Sequence, residues 1–443
     1  MSIPPGLRPG RTAYLNVRLL DPASGLDAKG ALLSEGETIA DFGPRLFKEG
    51  VPEGVELIDG GGACLAAGLV DMRVELGEPG EEHKETLQTG SMAAAAGGVT
   101  AVVALPNTAP VLDDVSGIEF IARRAREVKL VKVYCHAAVT KGLAGKELAE
   151  MGLLKEAGAL AFTDGLFPVA STLVMRRALS YARTFSALII QRPEEPELGA
   201  GGAMNEGEAA TRLGLPGIPR LAEVMLLERD LRLVELTRGR YHAGPLSSAE
   251  GVEAMRAAKA RGLEVTCDTA PHYFTLDESA VGDYRTFAKV SPPLRRPEDR
   301  EALIEGLKDG TIDAIASDHS PQDQDSKRQP FAQATAGIIG LETLLPLTLA
   351  LYHHGRLGLL EALAPLTSRP AALLGLAAGR LKKGAPADLV LFDPDARWTV
   401  EEDRFRSKSK NSPFAGREVR GKVLRTIVDG RPVFVAEEEE RIA

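Results

Sequence analysis

The sequence predicts an α/β fold: a (β/α)8 TIM barrel carrying a small β-sandwich domain formed by both chain ends. Three observations carry this. The chain has 443 residues, 44% hydrophobic and 26% charged, which is long enough for one barrel of roughly 250 residues plus a satellite. Between residues 69 and 376, short apolar runs alternate with amphipathic helical stretches. That alternation is the pattern of a parallel sheet whose strands are joined by helices. The flanking segments read instead as short strands with Gly-rich turns. Two such ends close on each other, because each alone would expose an apolar face and open sheet edges.

Residues 11–65 hold the strand-like runs RTAYLNVRLLD, GALLSEGETIADFG and VELIDGGGACLAAG. The run from Leu69 to Leu76, LVDMRVEL, reads as the first barrel strand and stops at the turn signal GEPG. VTAVVALPN then precedes the helical GIEFIARRAREV. Further on, SAEGVEAMRAAKARG leads into LEVTCDTAPHY, and PEDREALIEGLKDG leads into TIDAIASDHSP. Strand style returns in ADLVLFDP and KVLRTIVDGRPVFVA. These limits place 1–65 and 378–443 in the composite sandwich and 66–377 in the barrel. The acidic run AEEEER near the end reads as a solvated tail.

Net charge is −9, with lysine and arginine spread among the acids, so no basic nucleic-acid footprint is expected. The opening MSIPPGLRPGRTAYL has no apolar signal core and no run reaches transmembrane length, so a cytoplasmic protein without a membrane partner is expected. Cys64, Cys135 and Cys267 are far apart in sequence and odd in number, which fits buried thiols better than a disulfide or a metal cluster. There is no Gly-rich dinucleotide fingerprint and no P-loop.

Barrel chemistry sits where strands end. The residues there are Arg73 and Glu75, Asn107, His136, Asp164, Gln191 and Arg192, His242 to Pro245, His272, and Asp318 with His319. Arg73 and Glu75 stand two apart, so a regular strand aims both at one face. The set holds acids, amides and histidines but no convincing metal cluster.

Over nearly its whole length the chain resembles a dihydroorotase of the amidohydrolase superfamily. The resemblance rests on AAGLVDMRVELGEPGEEHKETLQTGSMAAAAGGVTAVVALPNTAPVLDD, AFTDG, GGAMNEGEAATRLGLPGIP, APHYF, SPPLRRPEDREALIEGLKDGTIDAIASDHSP and SKSKNSPFAGREV. It implies a barrel of the metallo-dependent hydrolase type, with zinc that polarises a cyclic amide and activates water. It also implies reversible hydrolysis of dihydroorotate to carbamoyl-aspartate in pyrimidine synthesis. The family's ligands are a His-x-His on the first strand, a bridging carboxylate or carbamylated lysine, two further histidines and an aspartate. Here the His-x-His positions are Arg73 and Glu75, and the other two histidine positions are Gln191 and Pro245. Only the acids Asp164 and Asp318 remain, Asp318 at the family's general acid/base position. Guanidinium cannot bind zinc and proline has no donor, so these are degenerate metal-site positions and no metal or other cofactor is expected.

Arg73 is then expected to replace the metal's positive charge by pairing with Asp164 or Asp318, since a buried carboxylate left alone is costly. The alternative is that Arg73 and Glu75 pair with each other. The family's substrate arginine is Gly77 here and its asparagine before PPLR is Ser291. Asn107 and His272 keep the positions that hold the substrate carboxylate; a turn cap at Asn107 and a hydrogen-bonded strand-end residue at His272 are the alternatives. His136, His242 and His319 read as structural.

The reading that follows is a non-catalytic member of the family that serves as a structural or regulatory partner of aspartate carbamoyltransferase, as some family members do. The resemblance also implies a homodimer. The alternative is an active dihydroorotase or related cyclic-amide hydrolase with an atypical carboxylate-rich metal site from Glu75, Asp164 and Asp318. A weaker option is an anion sensor using Arg73, Asn107 and His272.

Overall fold

The computed structural model describes residues 10–437; the opening nine residues and the acidic run from 438 onward lie outside them. The first five strands are β1 (Arg11–Asp21), β2 (Leu26–Glu35), β3 (Thr38–Gly43), β4 (Glu56–Asp59) and β5 (Cys64–Ala67). The barrel region contributes β6 (Leu69–Val74), β7 (Val99–Ala104), β8 (Lys132–Cys135), β9 (Leu188–Gln191), β10 (Met204–Asn205) and β11 (Gly217–Ile218). Then come β12 (Arg240–Ala243), β13 (Val265–Thr269), β14 (Ala314–Ile315), and at the far end β15 (Leu389–Thr399), β16 (Glu418–Val428) and β17 (Arg431–Val435).

Both ends form one eight-stranded sheet in the order β17-β16-β15-β5-β1-β2-β3, with β4 on β1. The join is antiparallel, β15 on β5, with Leu389 opposite Ala67 and Leu391 opposite Leu65. Alternate residues of these strands point to one face, and Tyr14, Leu19, Leu32, Leu65, Leu389, Leu391 and Ile427 bury themselves there as a separate core. The far ends of the chain therefore need each other to bury that face.

The barrel runs parallel through β6, β7 and β8. A single bridge residue, Phe162, continues it between Ala137 and Ile189, and β9, β12, β13 and β14 follow in parallel. It closes where His319 bridges Val74, with the Glu75 amide donating to the His319 carbonyl at 2.8 Å. Short polar residues start the outer helices. Thr86, Asp114, Ser171 and Ser248 each accept a backbone N–H in the first turn of the helices Leu87–Ala96, Val115–Val128, Thr172–Arg183 and Ala249–Ala260, satisfying donors a helix start leaves unpaired. Among the described residues no helix is long and apolar enough to cross a membrane. The three cysteines are free and buried, as expected from their spacing.

One sequence expectation shifts. The first barrel strand ends at Val74, not Leu76, because Glu75 belongs to the closure with His319 and the chain turns at Gly77, whose φ is +65°. A Cβ at Gly77 would stand 2.6 Å from the Glu85 carbonyl oxygen. The backbone here has no room for the arginine that the family motif places at this position.

Candidate functional site

Arg73, at the end of β6, is the largest fully buried side chain of the protein's described residues, 2% exposed. Its Nη2 donates to the carbonyl oxygen of Gly244 across the barrel, and its Nε lies 3.9 Å from Asp268 Oδ2. Asp268 sits in β13 and also meets His242 Nε2 at 3.0 Å. His242 Nδ1 is 2.8 Å from Thr266 Oγ1. A neutral imidazole with its proton on Nε2 satisfies both contacts, donating to the carboxylate and accepting from the hydroxyl. Gly244 lies so close that a Cβ there would be 2.4 Å from Asp268 Oδ1, so glycine is what lets the carboxylate and guanidinium share this space.

The expected partner of Arg73 is thereby corrected. Asp164 is spent elsewhere: its Oδ1 accepts the Val139 and Thr140 amides, both at 2.9 Å, and its Oδ2 accepts the Thr140 hydroxyl. It pins the loop after β8, and burial raises its pKa. Nor does Glu75 pair with Arg73. Its Oε2 accepts from Asn107 Nδ2 at 2.9 Å, a contact in place of the turn cap that was the alternative reading of Asn107. Burial is the main influence raising the Glu75 pKa, against hydrogen bonds from Ser320 and Asn107. The β6 strand ends between the two residues, so the two-residue spacing that would align them is broken there.

Asp318 follows β14 with φ +51°, a left-handed conformation that aspartate tolerates better than most residues. Burial, helped by Asp268 and Glu75, pushes its pKa up to about 7, while Arg73 and Arg192 hold it down. Arg73 therefore acts on Asp318 through space, not as its hydrogen-bonded partner. His272, 1% exposed, has Nε2 3.7 Å from Asp318 Oδ2, and burial lowers its pKa to about 3. A neutral imidazole thus faces a carboxyl that changes charge near neutrality.

The remaining positions have structural work. Gln191 brackets the 169 backbone, accepting from the Val169 amide at 3.2 Å and donating to its carbonyl at 3.5 Å. Pro245 follows the carbonyl that Arg73 holds. His136 Nε2 meets the Met72 carbonyl at 3.0 Å, and burial lowers its pKa to about 4, with Arg73 adding to the effect. His319 Nε2 lies 3.4 Å from Glu85 Oε2. Arg192 donates to the Leu166 carbonyl at 2.7 Å and to the Ser291 hydroxyl. Ser291, where the family motif has asparagine, is thus held from β9.

Sequence reasoning missed Asp268, and it placed Gly244 only within the strand-end range His242 to Pro245, without a role. The available signal was one acid inside an apolar strand, VTCDT, since a charged residue in a strand interior needs a buried partner. Among the described residues no group of three or more His, Cys, Asp or Glu side chains is placed to hold a metal ion. A cavity lined by Glu75, Lys84, Asn107, Thr108 and Pro321 has about 10 Å³ of free space, room for roughly one water.

Comparison with known proteins agrees with this architecture. A Dihydro-orotase-like family model matches residues 62–251 and an Amidohydrolase family model matches 233–433. The chain is 48% identical over 431 residues to a protein named dihydroorotase from Anaplasma phagocytophilum, covering 96% of this chain and 95% of that one. It is 48% identical over 419 residues to another from Syntrophotalea carbinolica, covering 95% and 98%. In structure it is similar to the L-hydantoinase (dihydropyrimidinase) of Arthrobacter aurescens, with a TM-score of 0.84 at 25% identity, covering 96% of this chain and 97% of that one.

Proposed function

The chain belongs to the dihydroorotase family of amidohydrolases, and from that premise we propose that it is a non-catalytic member that keeps the barrel as a scaffold. Its role in this reading is as a structural or regulatory partner of aspartate carbamoyltransferase in pyrimidine biosynthesis, as a homodimer in the cytoplasm. The observation that carries it is the Arg73 guanidinium, fully buried at the barrel mouth on the Gly244 carbonyl and 3.9 Å from Asp268.

The donor set does not fit zinc. Zinc takes imidazole, thiolate or carboxylate. At the family's ligand positions stand a guanidinium, a proline, a glutamine committed to Val169 and three acids, of which Asp164 is committed to Val139 and Thr140 and Glu75 accepts from Asn107. A divalent cation entering this space would meet the fixed charge of Arg73. The zinc-ligand histidines are, in this reading, lost, and the single charge of Arg73 balances the buried acids instead.

One observation favours a second reading, an active dihydroorotase or related cyclic-amide hydrolase. Asp318 has a pKa near 7 and stands 3.7 Å from His272, which suits a group moving a proton at neutral pH. Water would then open the ring amide of dihydroorotate to give carbamoyl-aspartate.

The test is turnover of dihydroorotate and carbamoyl-aspartate by the purified chain, with and without added Zn²⁺ and Mn²⁺, together with co-purification of aspartate carbamoyltransferase. No turnover and a stable complex are the expected results. Metal-dependent turnover that vanishes in Asp318→Ala would defeat the scaffold reading and establish the second.

A further inference from the structure

Two lysines, Lys289 and Lys327, are buried and fasten two segments to each other. Lys327 ends the short helix Gln324–Lys327, and Lys289 follows the turn Thr286–Ala288. The Lys327 amine donates to the carbonyls of Thr286 at 3.1 Å and Lys289 at 3.4 Å. In the other direction the Lys289 amine donates to the carbonyls of Phe331 at 2.8 Å and Ala332 at 2.9 Å. The Thr286 hydroxyl completes the clasp on the Lys327 carbonyl at 2.6 Å.

The clasp holds a loop that starts and finishes at the barrel mouth. Residues 321–337 leave just past Asp318 and return where the Ser320 amide donates to the Ile338 carbonyl at 2.7 Å. His319 bridges Ile338, and the Gly340 amide donates to His319 Nδ1 at 3.2 Å. Asn411, from the composite sheet domain, donates to the carbonyls of Ser320 and Gly337. A change in how firmly the loop is held therefore reaches the residue beside Asp318. The loop's apolar anchor is small: Phe331 packs with Ala203, Met204 and Val281, apart from the main barrel core.

Every acceptor of the two amines is a backbone carbonyl, and among the described residues neither amine has an ion pair. The facing turn brings Arg285 and Lys289 towards Lys327, and its own loop carries Asp323, Asp325 and Arg328. Asp323 is committed elsewhere, with Oδ1 accepting the Ser326 amide at 3.0 Å and Oδ2 facing His83 at 3.9 Å. Asp325, Arg285 and Arg328 are exposed. Two buried ammonium groups without an acid are costly, and losing a proton removes that cost. A neutral amine still has two protons to donate, enough for the two carbonyls that Lys327 meets. Burial, with Lys289 adding to it, lowers the Lys327 pKa to about 7, and burial also lowers that of Lys289.

We propose that this clasp is a proton-operated latch: it is tight while Lys327 is neutral, and proton uptake there loosens the 321–337 loop at the barrel mouth. The latch works whether or not the barrel turns over a substrate. In the released loop Lys327 regains its ordinary pKa of 10.5, against about 7 when clasped. The latch is therefore tightest above pH 10.5, loosens about tenfold per unit as pH falls towards 7, and changes little below. Asp318 has the opposite sign, since its contribution to stability is lost as pH rises through about 7, so its titration cannot imitate the latch.

The test is hydrogen exchange of the full chain from pH 7 to pH 9, corrected for intrinsic exchange rates and read on peptides covering 324–337. Protection there should fall by roughly 50-fold from pH 9 to pH 7, while the Leu389–Leu391 amides of β15 show no such change. Lys327→Met should reduce the change to less than about fivefold. Lys289→Met removes the neighbouring charge, so the levelling near pH 7 should move to higher pH and the change should shrink several-fold; this arm decides if Lys327→Met does not fold. Protection that does not depend on pH overturns the inference. So does a slope shared equally by β15, or one that persists unchanged in either folded variant.

Discussion

Replacing Arg73 with methionine isolates the charge at the barrel mouth. The substitution keeps much of the volume and removes the guanidinium that lies 3.9 Å from Asp268 Oδ2. At an effective dielectric of about 20, that separation corresponds to roughly 4 kcal/mol of attraction. Two further effects oppose each other. The Gly244 carbonyl loses its donor, a cost of about 1–3 kcal/mol. Against that, Arg73 Nε and Nη1 are buried without hydrogen-bond partners, and removing them relieves a penalty of similar size, about 1–3 kcal/mol. About 4 kcal/mol of destabilisation remains, the range seen when one partner of a buried pair is deleted. With an unfolding entropy of roughly 2.1 cal/mol/K per residue over 443 residues, the melting temperature should fall by about 4–5 °C at pH 8. Arg73 also holds down the Asp318 pKa of about 7, so its removal penalises only the ionised form of Asp318. The deficit should therefore widen from pH 6 to pH 9. Arg73→Lys, which keeps the charge, should recover more than half of the loss. A methionine variant that melts at or above the parent at pH 8 would refute the claim that this arginine neutralises the buried acids.

Asp318→Asn tests the acid directly. The folded pKa, about 7, is above the unfolded value of 3.8, so the stabilisation from Asp318 is complete below pH 3.8 and lost as pH rises through 7. Asparagine does not ionise, and the variant should gain a few kcal/mol on the parent between pH 5 and pH 8.5; melting curves that stay parallel would reject this. Asp164→Ala leaves the Val139 and Thr140 amides without their acceptor and should cost about 2–5 kcal/mol in urea unfolding, whereas an unchanged midpoint would show that the loop does not need its clamp. Gly97→Ala places a Cβ 2.1 Å from the Leu341 carbonyl oxygen, which is backbone, and should cost about 1–3 kcal/mol by melting temperature; a variant as stable as the parent would show that the segment yields freely.

The architecture was legible because its signals are local. Strand–helix alternation gives the barrel, and strand-rich ends of matching style give the composite sheet, where β15 meets β5. The site was legible only in part. Arg73 stood out as a cation at a strand end, but its partner did not, since Asp164, Asp268 and Asp318 all lie at or just past strand ends. Which acid crosses the barrel depends on side-chain direction and register, not on spacing. Asp164 turns to the Val139 and Thr140 amides, while Asp268 is set by the register that places His242 beside Thr266. Glu75 shows the same limit: alternation puts it on the face of Arg73, but the strand ends one residue earlier and the side chain turns to Asn107.

The pairing of β5 with β15 also sets a timetable for synthesis. Ala67 and Leu389 are partners, and at the usual 5–20 residues per second the ribosome delivers the second about 15–60 s after the first. Throughout that interval the edge of β5 that β15 will cover is open to other strands in the cell. A nascent chain of this design needs a chaperone, or a fast-folding barrel that hides the edge, before its last strands arrive. Any stop codon upstream of Leu389 leaves that edge open for the life of the fragment.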